Sequence, residues 1–100
     1  MKYQSTFRDD PEYLPLIQSF TKRLPWYVHS IETCLANNNP AEALKLVHQL
    51  KGAGGGYGFP EITRLAGVAE QSLKASPTDR TATTALLDYI RNVDGYISQS

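Results

Sequence analysis

Apolar residues recur at three- and four-residue intervals along most of the chain, the spacing that gathers side chains on one face of an α-helix. The first stripe runs through Leu16, Ile17, Phe20, Leu24, Tyr27 or Val28, Ile31 and Leu35, and it continues across Pro25. It predicts one long helix kinked near Arg23, or two nearly collinear ones. Asn37-Asn38-Asn39-Pro40 stops it, because asparagine tolerates left-handed backbone and the residue before proline avoids the α region. A second stripe starts at Pro40-Ala41-Glu42, gathers Ala43, Leu46, Val47, Leu50 and Ala53, and ends near Gly56 to Gly58. The third carries Ile62, Leu65, Ala66, Ala69 and Leu73, with Glu61, Arg64, Glu70 and Lys74 toward its edge or solvent. Ala75 to Asp79 breaks that helix. A fourth is expected from about Thr78 to Ile97, through Ala82, Ala85, Leu86, Tyr89, Ile90 and Val93. No segment alternates with a period of two, so no sheet is expected.

Four amphipathic helices joined by short turns predict an all-α fold, an antiparallel up-down-up-down four-helix bundle spanning residues 1–100 as one domain. Asp9-Asp10-Pro11-Glu12 reads as a helix start with Asp10 as N-cap, which allows a short extra N-terminal helix before Pro15. Residues 1–8 show no period. They form either a loose arm or, through Tyr3 and Phe7, a segment folded back on the bundle.

Ten basic and ten acidic residues balance to zero net charge, which argues against a nucleic-acid binder. Cys34 is the only cysteine, so no intramolecular disulfide and no cysteine-based zinc site is available. No stretch approaches the roughly 18 apolar residues that span a membrane, and the N-terminus lacks the apolar run of a signal peptide. The expectation is a soluble cytoplasmic protein.

The second helix holds the candidate chemistry. At about 100° per residue, His48 falls away from the apolar face, with Lys45 and Lys51 one turn to either side and Gly52 and Gly55 one and two turns on. An imidazole so placed is exposed rather than part of the core. It also lacks metal-ligand neighbours, since the positions three and four residues on are lysine and glycine. Glycine inside a helix costs about 1 kcal/mol relative to alanine, so a run of Gly52, Gly54, Gly55 and Gly56 requires a reason. Gly52 and Gly55 clear the surface beside the imidazole, Gly54 and Gly56 admit a neighbouring helix, and Gly58 ends the helix in left-handed backbone. The run is no nucleotide loop, because the lysine precedes the glycines and no strand leads into it. Imidazole is nucleophilic near neutral pH. With a lysine at hand to neutralise phosphoryl oxygens, His48 has what phosphoryl transfer requires.

His48-Gln49-Leu50-Lys51-Gly52, followed by Gly58 ten residues after the histidine, resembles the motif of the histidine-containing phosphotransfer (HPt) domain family. Phe59-Pro60-Glu61-Ile62 and Ala69-Glu70 match that family's next helix, and the resemblance covers essentially the whole chain. The triple glycine at 54–56 departs from it, since the family more often has serine or alanine there. The resemblance implies a relay protein without kinase activity of its own. His48 would accept a phosphoryl group from a receiver-domain aspartyl phosphate and pass it to another receiver. Lys51 would stabilise the transferred charge, with Gly52, Gly55, Gly58 and Glu70 in support. Glu70 reads equally as a surface partner of Lys74. Ala41, Leu44 and Lys45 are candidate receiver-docking residues, against simple packing for Leu44 and a solvated charge for Lys45. No cofactor is expected in the chain, and Mg2+ would come with the partner receiver. The expected partners are receiver domains, including one on a hybrid histidine kinase, with the protein itself a monomer. The alternative is an adaptor of the same fold that binds receivers without transferring phosphate. Trp26, Tyr27, Tyr57 and Phe59 read as core and helix-junction residues, and His29 and Cys34 as structural.

Overall fold

Proline and asparagine set the helix boundaries. The computed structural model describes residues 2–96, which form four helices: α1 (Leu14–Ala36), α2 (Pro40–Gly56), α3 (Pro60–Ala75) and α4 (Thr81–Arg91). Pro15, Pro40 and Pro60 each lie in the first two positions of a helix, where a missing N–H costs nothing. Between α1 and α2, Asn38 takes a left-handed φ of 56°. Asn39 then caps α2, its side chain accepting the Glu42 N–H at 3.3 Å.

The first stripe is a single 23-residue helix that runs through Pro25, and no separate helix precedes it among the described residues. Asp10 instead closes a turn, its carboxylate accepting the Glu12 N–H at 3.0 Å and its carbonyl accepting from Tyr13 and Leu14. The N-cap expected at Asp10 falls instead to Tyr13, which makes no side-chain cap bond, and Asp10 belongs to the turn before α1.

Helix α4 is shorter than its periodicity predicts. At its start the Asp79 carboxylate takes the Thr81 N–H at 3.0 Å, and at its end the Asn92 amide donates to the Asp88 carbonyl at 2.8 Å. Val93 keeps its place in the core beyond the helix, while Ala85, expected on the buried stripe, is exposed. Ile97 lies outside the described residues.

One apolar core joins the four helices, centred on Phe20, Leu24, Ile31, Val47, Leu50, Ile62, Leu86 and Ile90. The N-terminal arm is bound to it at two places. The Thr6 N–H donates to the Gly58 carbonyl at 2.8 Å, and the Ser5 hydroxyl donates to the Tyr57 carbonyl at 2.6 Å. Gly58 has a φ of +85°, and an added Cβ there would strike the Ser5 hydroxyl, so both conformation and space require glycine. Farther along, Tyr3 stacks on Tyr89 with ring centroids 4.0 Å apart, and its backbone exchanges hydrogen bonds with Asn92 and Asp94. Residues 3–7 are therefore docked, as the folded-back reading of Tyr3 and Phe7 expects.

Candidate functional site

The seam between α2 and α3 is drawn tight by one glycine and one threonine. A Cβ on Gly54 would come within 2.9 Å of both the Ile62 Cβ and the Thr63 hydroxyl, so alanine does not fit there without a shift. The Thr63 hydroxyl then enters the backbone ladder of α2, accepting the Gly55 N–H and donating to the Lys51 carbonyl, both at 2.8 Å. Those two backbone groups ordinarily bond each other in an α-helix. Gly52 and Gly56 are different, because an added Cβ at either would meet nothing. Gly56 therefore serves no helix crossing. Gly55 approaches only the Thr63 hydroxyl, at an ordinary 3.5 Å.

Above this crossing stand His48, Lys51 and Glu70. The His48 side chain is 69% exposed and the Glu70 side chain only 7%. Glu70 is therefore not at the solvent edge where its own helix would place it; α2 covers it. One carboxylate oxygen lies 2.7 Å from His48 Nδ1, and the other accepts from Lys51 Nζ at 3.1 Å. The bond from His48, then the bond from Lys51, hold the Glu70 carboxyl below the usual carboxylate range against the opposing effect of burial. Lys74 contributes only a weaker charge attraction and no hydrogen bond.

An ionised carboxylate can only accept, so Nδ1 must carry the proton in this contact. In a neutral imidazole the other nitrogen, Nε2, then holds the free lone pair. The arrangement is an exposed nucleophile whose tautomer is fixed from below, with an ammonium group on the same buried carboxylate.

Leu44, Lys45, His48, Gln49 and Glu70 line an open hollow of about 400 Å³ beside the imidazole. Leu44 is half-buried, Ala41 is exposed, and Lys45 is exposed with the Glu42 carboxylate 3.5 Å from its ammonium. Gly58 stands apart from this group, under the N-terminal arm. Tyr57 and Phe59 pack around Phe20 as helix-junction residues, with Tyr57 stacked on it at 4.6 Å. Trp26 does not join the core; it is 58% exposed, because its helical position turns it outward while the neighbouring Tyr27 faces α2. Sequence reasoning missed Thr63, and its only signal was a hydroxyl on the stripe facing α2. Among the described residues, no three His, Cys, Asp or Glu side chains gather as a metal site. None of the described helices is long and apolar enough to cross a membrane.

A family model described as Hpt domain matches residues 15–95, which covers all four helices except Leu14 at the start of α1. No curated protein and no solved structure matches the chain significantly.

Proposed function

Because the chain belongs to the Hpt domain family, whose members act in two-component phosphorelays, we propose that His48 is its phosphoryl acceptor and donor between receiver domains. The observation that carries this reading is the bond from His48 Nδ1 to buried Glu70, which leaves Nε2 as the nucleophile on an exposed ring. In the proposed step, the Nε2 lone pair attacks the phosphorus of a receiver aspartyl phosphate. A nitrogen–phosphorus bond forms, the bond from phosphorus to the aspartate oxygen breaks, and the aspartate leaves as a carboxylate. The Nδ1 proton stays on the ring, where Glu70 balances the positive charge that develops. Lys51, whose ammonium shares the Glu70 carboxylate with His48, is the proposed group that neutralises the phosphoryl oxygens. Transfer to a second receiver is the same step reversed. The reacting aspartate and its Mg2+ belong to the receiver, so this chain supplies only alignment and charge.

The short connections and the order of contacts across the seam support an up-down-up-down arrangement. Glu70 lies opposite His48, while Ile62 and Thr63 lie opposite Gly54 and Gly55. Ala41, Leu44 and Lys45, near the start of α2, form the proposed receiver-facing strip.

Intact-mass measurement after mixing with phosphorylated receivers tests the reading. The expected result is a one-phosphate gain that is acid-labile, base-stable and absent from His48→Gln, whose helical content is unchanged. Labelling of that variant at the wild-type level would overturn the assignment. Receivers that bind but never transfer would favour the adaptor.

A further inference from the structure

Lys51 is held at both ends by one neighbouring helix. Its ammonium donates to the buried Glu70 carboxylate at 3.1 Å, and its carbonyl accepts from the Thr63 hydroxyl at 2.8 Å. Thr63 and Glu70 are seven residues apart, which puts them on one face of α3, about 10 Å from each other along its axis. Between them on that face comes Gly67, which has no side chain to brace the lysine stem.

The backbone end is the one that needs support. Four of the five residues from Gly52 to Gly56 are glycine, the residue that holds helical backbone least firmly after proline. The turn that follows Lys51 is thus the least self-supporting part of α2. The Thr63 hydroxyl spans that turn, bonding the Lys51 carbonyl at its start and the Gly55 N–H at its end. Gly54 is what lets it come so close, since a Cβ there would lie 2.9 Å from the same hydroxyl.

We propose that Thr63 is a positioning residue for phosphoryl transfer: its hydroxyl splints the glycine turn so that Lys51 carries its ammonium beside His48. The inference rests on the reading of His48 and Lys51 as the phosphoryl site. A lysine stem has many rotamers, so its charge is placed only if its root is fixed. A misplacement of about 1 Å in a reacting site slows the reaction by up to about a hundredfold. A bond that merely closed the seam would act on the fold whether or not Lys51 were present.

The experiment is a double-mutant cycle on transfer from saturating phosphorylated receiver, with Thr63→Val, Lys51→Ala and both together, and with Thr63→Ser to keep the hydroxyl. Thr63→Val is expected to slow saturated transfer about tenfold or more, with the half-saturating receiver concentration within about twofold of wild type. Thr63→Ser should restore most of the rate. In the Lys51→Ala background, Thr63→Val should change the rate less than about twofold, because the group it positions is gone. Equal losses in the two backgrounds, or full-rate transfer by folded Thr63→Val, would overturn the proposal. If Thr63→Val does not fold, Thr63→Ala removes the same hydroxyl without a methyl against the α2 backbone and carries the same comparison. Phosphoramidate, which gives its phosphoryl group to the imidazole and releases ammonia, repeats the cycle without a receiver. Wild type labelled by phosphoramidate but by no receiver would sink the relay reading, and the cycle would still decide the role of Thr63. No labelling of His48 by either donor would overturn both.

Discussion

Two seams of this bundle are built to different tolerances. Between α2 and α3, Gly54 lies against Ile62, Thr63 is bonded into the partner backbone, and buried Glu70 holds His48 and Lys51 at once. Between α1 and α4 the ionic link is more exposed and the buried polar groups are less well partnered. Arg91 reaches Glu32 at 2.6 Å on the surface, and Arg80 donates to the Leu35 carbonyl at 3.2 Å. There the Arg80 Nε and the Thr83 hydroxyl are buried with no partner among the described residues. An exposed ion pair contributes at most about 1 kcal/mol, and an unpaired buried polar group is a net loss. The bundle is thus most exact where the imidazole must be aimed and slack where no candidate chemistry lies.

Substitution in each seam tests that difference. The largest effect is expected from Gly54→Val, whose side chain has no space. It should lower stability by about 1–3 kcal/mol, or roughly 4–8 °C of melting temperature per kcal/mol, and slow phosphotransfer as the seam opens. Gly56→Ala, at a position whose Cβ meets nothing, should be neutral or gain up to about 1 kcal/mol. Equal effects from the two would mean that the glycine run is not differentiated.

A matched pair of threonines gives the next contrast. Thr63→Val removes two hydrogen bonds and should cost about 1–2 kcal/mol, whereas Thr83→Val removes a hydroxyl that has no partner and should gain up to about 1 kcal/mol. Chemical denaturation of both variants reads the signs directly. Opposite signs are the outcome that supports two tolerances.

The smallest effect is a pH dependence. Glu70 titrates below its ordinary value in the folded state, so its contribution is fully present above the ordinary carboxylate range and is lost as pH falls through its lowered value. Glu61 and Asp79 are shifted the same way, by Arg64 and by Thr81. Melting curves of wild type and Glu70→Gln between pH 7 and pH 3 isolate the seam's share. Wild type should lose more melting temperature on acidification than the variant does.

Helical spacing made α2 and α3 legible, together with the outward turn of His48, because each is a property of one helix. Glu70 was placed at an edge for the same reason: its own helix does turn it aside, and only the neighbour decides whether that side is buried. Thr63 left only an ambiguous mark, since a hydroxyl that bonds across a crossing resembles any other threonine on that side of a helix. The end of α4 was misjudged because Val93 continues the apolar spacing, yet reaches the core from a turn paired with Tyr3. Periodicity reports which residues are buried more faithfully than which backbone carries them there.

The Tyr3 pairing also bears on how the chain folds. Every helix contact described between α2 and α3, or between α1 and α2, can form once two neighbouring hairpin elements meet. The bridge from Tyr3 to Val93 joins positions near opposite ends of the chain, so it waits until the intervening helices are already in place. The Tyr3 end of the arm is therefore expected to close late in folding. In native-state hydrogen exchange the amides of Tyr3 and Asp94, which carry that bridge, are expected to open before those of the seam that holds the histidine.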